Sequence, residues 1–273
     1  MPCGLPEPLA PVYRLAPTML SFSPRLPTLP RRAEIVRRWA LAAEARADAA
    51  SGPPLRLLLA EFGWPLLSLE RRLRKSAAIT RATMPKTVML LPGFGAHPVR
   101  MRWMARELEK AGHTVKRWGL GTNLGATEAR FRQVEDRLVA LADRAGEPIV
   151  LVGWSLGGVM ARELAKLHPD LVAKVVTLGS PFSGNPRANN GWRAYQAIAG
   201  HRVDEPEFDA TPNEKPPVET VALWSPRDGI VDPRSAAGRP GERDRAVALR
   251  CTHMGFVLTH EAVAAVLAEL DRL

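Results

Sequence analysis

The sequence predicts an α/β protein: a doubly wound, mostly parallel sheet with a helical extension before it. Three observations carry this. From Lys86 onward, short β-rich apolar runs alternate with segments of helical apolar spacing, the order that a parallel sheet with crossover helices produces. Within that region Pro148–Ala161 reads P-I-V-L-V-G-W-S-L-G-G-V-M-A, an apolar run, a tight glycine-flanked turn and then a helix. The charge also changes at the same boundary. Residues 1–86 hold 14 Lys+Arg against 6 Asp+Glu, and the rest of the chain holds 24 against 22.

Taken in order, residues 1–30 are rich in proline and show no periodicity, so a disordered or extended tail is expected there. They contain no apolar run of the length a signal peptide needs. Residues 31–85 form the basic extension. Arg32–Ala50 has helical spacing, with Ile35, Val36, Trp39 and Ala43 on one side, and Ser51-Gly52-Pro53-Pro54 ends it. Leu55–Lys75 resumes with Leu57, Leu58, Leu59, Phe62, Trp64, Leu66, Leu67 and Leu69, then Arg71, Arg72, Arg74 and Lys75. Arg56, Glu61 and Pro65 interrupt this stretch, which is too short and too polar to span a bilayer. Two readings stay open: the helices pack on the rest of the chain, or their Leu/Trp face lies against an anionic membrane surface through residues 31–75. No nucleic-acid recognition motif is present, and aromatic residues do not interleave with the basic ones.

Residues 86–273 supply the α/β pattern. Strands are expected over Thr87–Leu91, His113–Trp118, Ile149–Val152, Ala173–Leu178, Val218–Trp224 and Ala246–Arg250. Helices are expected over Val99–Ala111, Thr127–Ala145, the segment running to Leu167, and His260–Leu273. Residues 182–217 form a polar insertion with a helix around Trp192–Ala199. In such a sheet the ligand crevice lies at the C-terminal ends of the strands.

The whole chain has 273 residues, 46% hydrophobic, enough for a full core, and a net charge of +10. Its two cysteines, Cys3 and Cys251, are far apart and lack CxxC spacing, which argues against a disulfide framework or zinc site and for a reducing, cytoplasmic setting. No metal or cofactor is expected.

Gly153-Trp154-Ser155-Leu156-Gly157 has a serine at the apex of a strand–turn–helix, with glycines two residues either side where a Cβ would clash. A serine there sits at a helix N-terminus, which favours the negative charge that develops in acyl transfer. The G-x-S-x-G pattern resembles the nucleophile elbow of the α/β-hydrolase superfamily, and the chain as a whole resembles its bacterial lipase/esterase-like serine hydrolases. The resemblance covers about residues 87–273. It implies a chain order of nucleophile, acid and histidine, each on a loop after a strand. Ser155 is the expected nucleophile.

The strand V-E-T-V-A-L-W runs into Ser225-Pro226-Arg227-Asp228-Gly229-Ile230-Val231-Asp232, which resembles the family's acid loop. Asp228 is the first candidate and Asp232 the second, although Asp-Gly is also an ordinary turn pair. The strand A-V-A-L-R-C precedes Thr252-His253-Met254-Gly255, matching the family's histidine loop. His97, His113, His168, His201 and His260 fit that order less well. By the same resemblance the oxyanion hole combines the backbone N–H groups of Leu156 and of Phe94, in Leu91-Pro92-Gly93-Phe94. Pro92 departs from the histidine that many members carry before that glycine.

The insertion 182–217 looks like a small cap. Trp192, Tyr195 and Phe208 in it, with Trp154 beside the serine, are expected to wall an acyl pocket. The function implied is hydrolysis of a carboxylic ester with an apolar, lipid-like acyl group. The alternatives are an acyltransferase or thioesterase on the same residues, or a hydrolase-fold binding module without catalysis.

Overall fold

The computed structural model describes residues 32–45, 51–65 and 80–273. The tail expected over residues 1–30 and the basic cluster at 71–75 lie outside the described residues, as do Leu66, Leu67 and Leu69.

Six parallel strands form one sheet in the order β2-β1-β3-β4-β5-β6. They are β1 Thr87–Leu91, β2 Thr114–Arg117, β3 Ile149–Trp154, β4 Val172–Leu178, β5 Glu219–Trp224 and β6 Arg245–Ala248. Side chains of a strand alternate between faces, so each strand feeds two cores. Val88, Leu90, Val150 and Val152 pack on one face with Met104, Leu108, Val263 and Val266. Met89, Leu91, Ile149 and Leu151 pack on the other with Val134, Leu138, Met160 and Leu164. Burying each such side chain contributes roughly 1.5–3 kcal/mol. The first core is covered by α3 (Arg102–Lys110) and α8 (His260–Leu270), the second by α4 (Glu128–Ala145) and α5 (Leu156–Leu167).

Lys174 of β4 is fully buried, which would be costly for an ammonium without partners. Its Nζ lies 3.1 Å from Glu219 and donates to the Glu269 carbonyl at 2.6 Å.

The insertion between β4 and β5 contains α6 (Trp192–Ala199). Its end is anchored by α5. The buried Arg162 guanidinium donates to the carbonyls of Pro212 (2.8 Å) and Glu214 (3.0 Å), and to that of Glu242 (2.8 Å) near β6. Burial pulls its pKa down to about 10.

The first helix of the extension docks on the insertion, and not through its apolar side. α1 (Arg32–Ala43) has no buried residue, and Ile35, Val36 and Trp39 stay exposed. Its contacts are polar instead. The carbonyls at its C-terminal end lack intrahelical partners. Leu41 and Ala42 there accept from Gln196 (2.5 Å) and Arg193 (2.6 Å) of α6, while Arg38 donates to the Ile198 carbonyl at 2.5 Å. α2 (Leu55–Glu61) leaves Leu55 and Leu59 exposed and buries Glu61.

Candidate active site

All the loops that carry candidate residues leave the C-terminal ends of the strands, so one edge of the sheet collects them. After β3 the chain turns at Ser155, with φ 53° and ψ −123°. It is the only non-glycine residue with positive φ among the described residues. A side chain held there costs on the order of 1–3 kcal/mol, which the surrounding contacts must overcome. Two backbone bonds grip the turn: Ser155 N–H to the Leu178 carbonyl (2.8 Å) and Gly158 N–H to the Ser155 carbonyl (2.9 Å). The glycines are required by close approach. A Cβ on Gly153 would lie 2.4 Å from the Gly157 carbonyl oxygen, and one on Gly157 would lie 2.3 Å from that of Leu91. Gly158, not singled out by the sequence pattern, is as tightly placed, 2.0 Å from Ser180 Oγ by the same construction.

After β5, Asp228 is fully buried and its two carboxylate oxygens have separate tasks. Oδ1 accepts from the N–H groups of Ile230 and Val231, both at 2.8 Å, which closes the Asp-Gly turn. Oδ2 lies 2.8 Å from His253 Nδ1. Asp228 therefore closes the turn with one oxygen and faces His253 with the other. Asp232 is elsewhere: it caps α7 (Pro233–Ala237) through the N–H groups of Arg234 and Ser235.

His253 follows β6 and is buried. Burial pulls its pKa down, but the Asp228 charge and hydrogen bond, helped by Glu61, outweigh this and leave it above the ordinary imidazole value. Trp154 steadies the loop by donating its indole N–H to the His253 carbonyl at 3.2 Å. Every other histidine has a structural partner. His97 Nδ1 accepts from Val99 N–H, and His113 Nδ1 from Lys86 N–H. His168 pairs with Glu135, His201 with the Tyr195 hydroxyl, and His260 packs edge-on against Trp103.

A cavity of about 500 Å³ opens beside Ser155. Phe94, Leu156, Trp154, Trp192, Tyr195, Phe208 and His253 all line it with Ser155, so the sequence-predicted site residues other than Asp228 and the two elbow glycines meet at one cavity. Asp228 stands behind His253. The pocket aromatics are themselves firmly packed. Phe208 stacks on Phe131 with ring centres 4.3 Å apart, and Tyr195 lies against Phe94 at 5.2 Å. Burial pushes the Tyr195 hydroxyl up to about 12. Among the described residues no three His, Cys, Asp or Glu side chains gather as a metal site would require.

Two buried residues that sequence reasoning missed hold these loops. Asn123 donates to the Pro92 carbonyl at 2.8 Å, and its own backbone carbonyl accepts from Gly95 N–H at 2.7 Å, fixing the Phe94 loop. Glu61 accepts from the N–H groups of Gly229, His253 and Met254. The signal for Glu61 was a lone acid inside a leucine-rich run, which reads on its face as an interruption of an apolar helix.

A family model described as the α/β hydrolase fold matches residues 122–208. A solved structure of a Listeria innocua gene product aligns with 70% of this chain and 95% of its own, with a TM-score of 0.50 and 16% identity. The chain has the α/β-hydrolase fold. Among curated proteins it is similar to pimeloyl-acyl-carrier-protein methyl ester esterases. That of Aliivibrio salmonicida is 27% identical over 56% of this chain and 58% of the relative. That of Vibrio cholerae is 36% identical over 31% of each chain. This chain thus aligns with less than two thirds of the length of either relative. No described helix is long and apolar enough to cross a membrane.

Proposed function

We propose that the protein is a serine hydrolase that cleaves a carboxylic ester through Ser155, His253 and Asp228. The observation that carries this reading is the buried His253–Asp228 pair, 2.8 Å apart, beside the strained serine of the elbow. With Nδ1 donating to Asp228, His253 keeps Nε2 free to take the Ser155 proton as Oγ attacks the acyl carbonyl. Asp228 holds the tautomer and offsets the imidazolium charge. The N–H groups of Phe94 and Leu156 receive the oxyanion, the second at the N-terminus of α5. His253 then protonates the leaving alcohol, and water repeats the sequence on the acyl-enzyme.

The aromatic lining of the cavity supports an apolar acyl group, and the relatives' names support an ester. Residues 182–217 act as the cap in this reading, since Trp192, Tyr195 and Phe208 reach the cavity from that segment. Residues 31–85 form the extension in front of the catalytic domain. The same groups would serve an acyltransferase or thioesterase if an acceptor other than water took the acyl group. A p-nitrophenyl ester series of rising acyl length, run with and without added alcohol or thiol acceptors, tests both. Hydrolysis that accepts apolar acyl chains and is indifferent to acceptor is expected. Product that tracks acceptor concentration would make it a transferase.

The outward side chains Val36, Trp39, Leu59 and Phe62 support a narrower proposal, contact of the extension with an anionic membrane surface. Co-sedimentation with anionic vesicles that weakens with salt is expected. Equal behaviour toward neutral vesicles, or none toward either, rejects it.

A further inference from the structure

We infer that Glu61 is a positioning residue, one carboxylate of the extension that holds together the two loops bearing Asp228 and His253. Its consequence for rate rests on the serine-hydrolase reading above.

Burying an acid is costly unless its oxygens are satisfied. Glu61 is 6% exposed and fully engaged. Oε1 accepts from Gly229 N–H at 2.8 Å and His253 N–H at 2.7 Å, and Oε2 accepts from Met254 N–H at 2.9 Å. Gly229 follows Asp228 directly, so one side chain binds the backbone beside the acid and the backbone of the histidine. Charge-assisted bonds of this kind are stronger than neutral ones.

The rest of the segment is shaped to deliver that carboxylate. A Cβ on Gly229 would lie 2.2 Å from the Leu57 carbonyl oxygen, so the acid loop presses on the α2 backbone and glycine is required. Asn190 Nδ2 donates to both the Pro53 carbonyl (3.0 Å) and the Gly229 carbonyl (2.8 Å), which fastens the start of α2 to the same loop. Apolar burial is only part of the docking, since Leu57 and Leu58 are half-buried while Leu55, Leu59 and Phe62 remain exposed. An amide at position 61 would present one oxygen and an NH₂ to three N–H donors. At least one donor would then be left buried without an acceptor. The negative charge also acts on the His253 ring, adding to that of Asp228.

The test uses the full chain with Glu61→Gln and Glu61→Asp, measuring kcat, KM, thermal stability and the NMR titration of the His253 ring. Glu61→Gln is expected to lower kcat by roughly 10–100-fold with KM little changed, the scale of a small misplacement of reacting groups. It should also move the His253 midpoint down, because a negative neighbour has been removed. Glu61→Asp keeps the charge and shortens the reach, so kcat should fall while the midpoint stays. A folded Glu61→Gln with wild-type kcat, or one whose lower kcat comes with an unmoved midpoint, overturns the inference. Should Glu61→Gln not fold, Glu61→Asp decides, and wild-type kcat there overturns it. The titration does not depend on turnover. A wild-type protein with no Ser155-dependent hydrolysis would sink the serine-hydrolase reading while the NMR arm still judged Glu61.

Discussion

His253 Nδ1 and Asp228 Oδ2 stand 2.8 Å apart, with the Asp228 side chain wholly buried and that of His253 nearly so. Asp228→Asn keeps the shape but turns an acceptor into a donor facing Nδ1. It should lower kcat by about 10⁴, the effect of a wrong histidine tautomer. Asp232→Asn should leave kcat close to wild type, because Asn caps a helix about as well as Asp. Steady-state rates of the two purified variants decide the matter. A reversed order would make Asp232 the acid.

The raised pKa of His253 sets the pH dependence. The imidazole must be neutral to take the serine proton. Activity should therefore be full above the raised value and decline as pH falls through it, with the acidic limb of kcat/KM above about 6.5. The sign for stability is opposite. A raised folded-state pKa favours the fold at low pH, fully below the ordinary imidazole value, and this contribution is lost as pH rises through the raised one. A kcat/KM profile with its acidic limb well below the ordinary imidazole range would contradict the pairing.

Gly157→Ala tests the packing of the elbow. The added methyl would meet backbone on the neighbouring strand, 2.3 Å from the Leu91 carbonyl oxygen, and neither element can move without opening the sheet. A loss of about 3 kcal/mol is expected, at the upper end of the usual range for overpacking. Thermal unfolding should show it as a Tm lower by roughly 6–12 °C. An unchanged Tm would mean that the turn is looser than its contacts imply.

Much of this was legible because it is local. Strand–helix alternation and the glycine spacing around Ser155 depend on neighbours in sequence, and they located the sheet and the elbow. Boundaries slipped where a side chain left the regular pattern for a local partner. The strand expected to reach Trp118 stops at Arg117, and Trp118 turns inward to donate its indole N–H to the Gly121 carbonyl. The helix expected from Val99 begins with a 3-10 turn, Pro98–Met101. The docking of the extension was not legible for a different reason. Periodicity put Ile35, Val36 and Trp39 on one side without saying what that side meets, whereas α1 docks through carbonyls and arginines that carry no periodic signal. The role of Glu61 was beyond a local reading, which shows only a lone acid in a leucine-rich run, since its partners Gly229 and His253 lie 168 and 192 positions away.

The central claim is that Ser155 is the nucleophile, and covalent capture tests it most directly. Full-length protein treated with a fluorophosphonate should gain one adduct by intact mass. Peptide mapping should place it on Ser155, and folded Ser155→Ala should gain none while losing on the order of 10⁴–10⁶ in kcat. An adduct on another residue, or Ser155→Ala that still hydrolyses ester at the wild-type rate, would contradict the account.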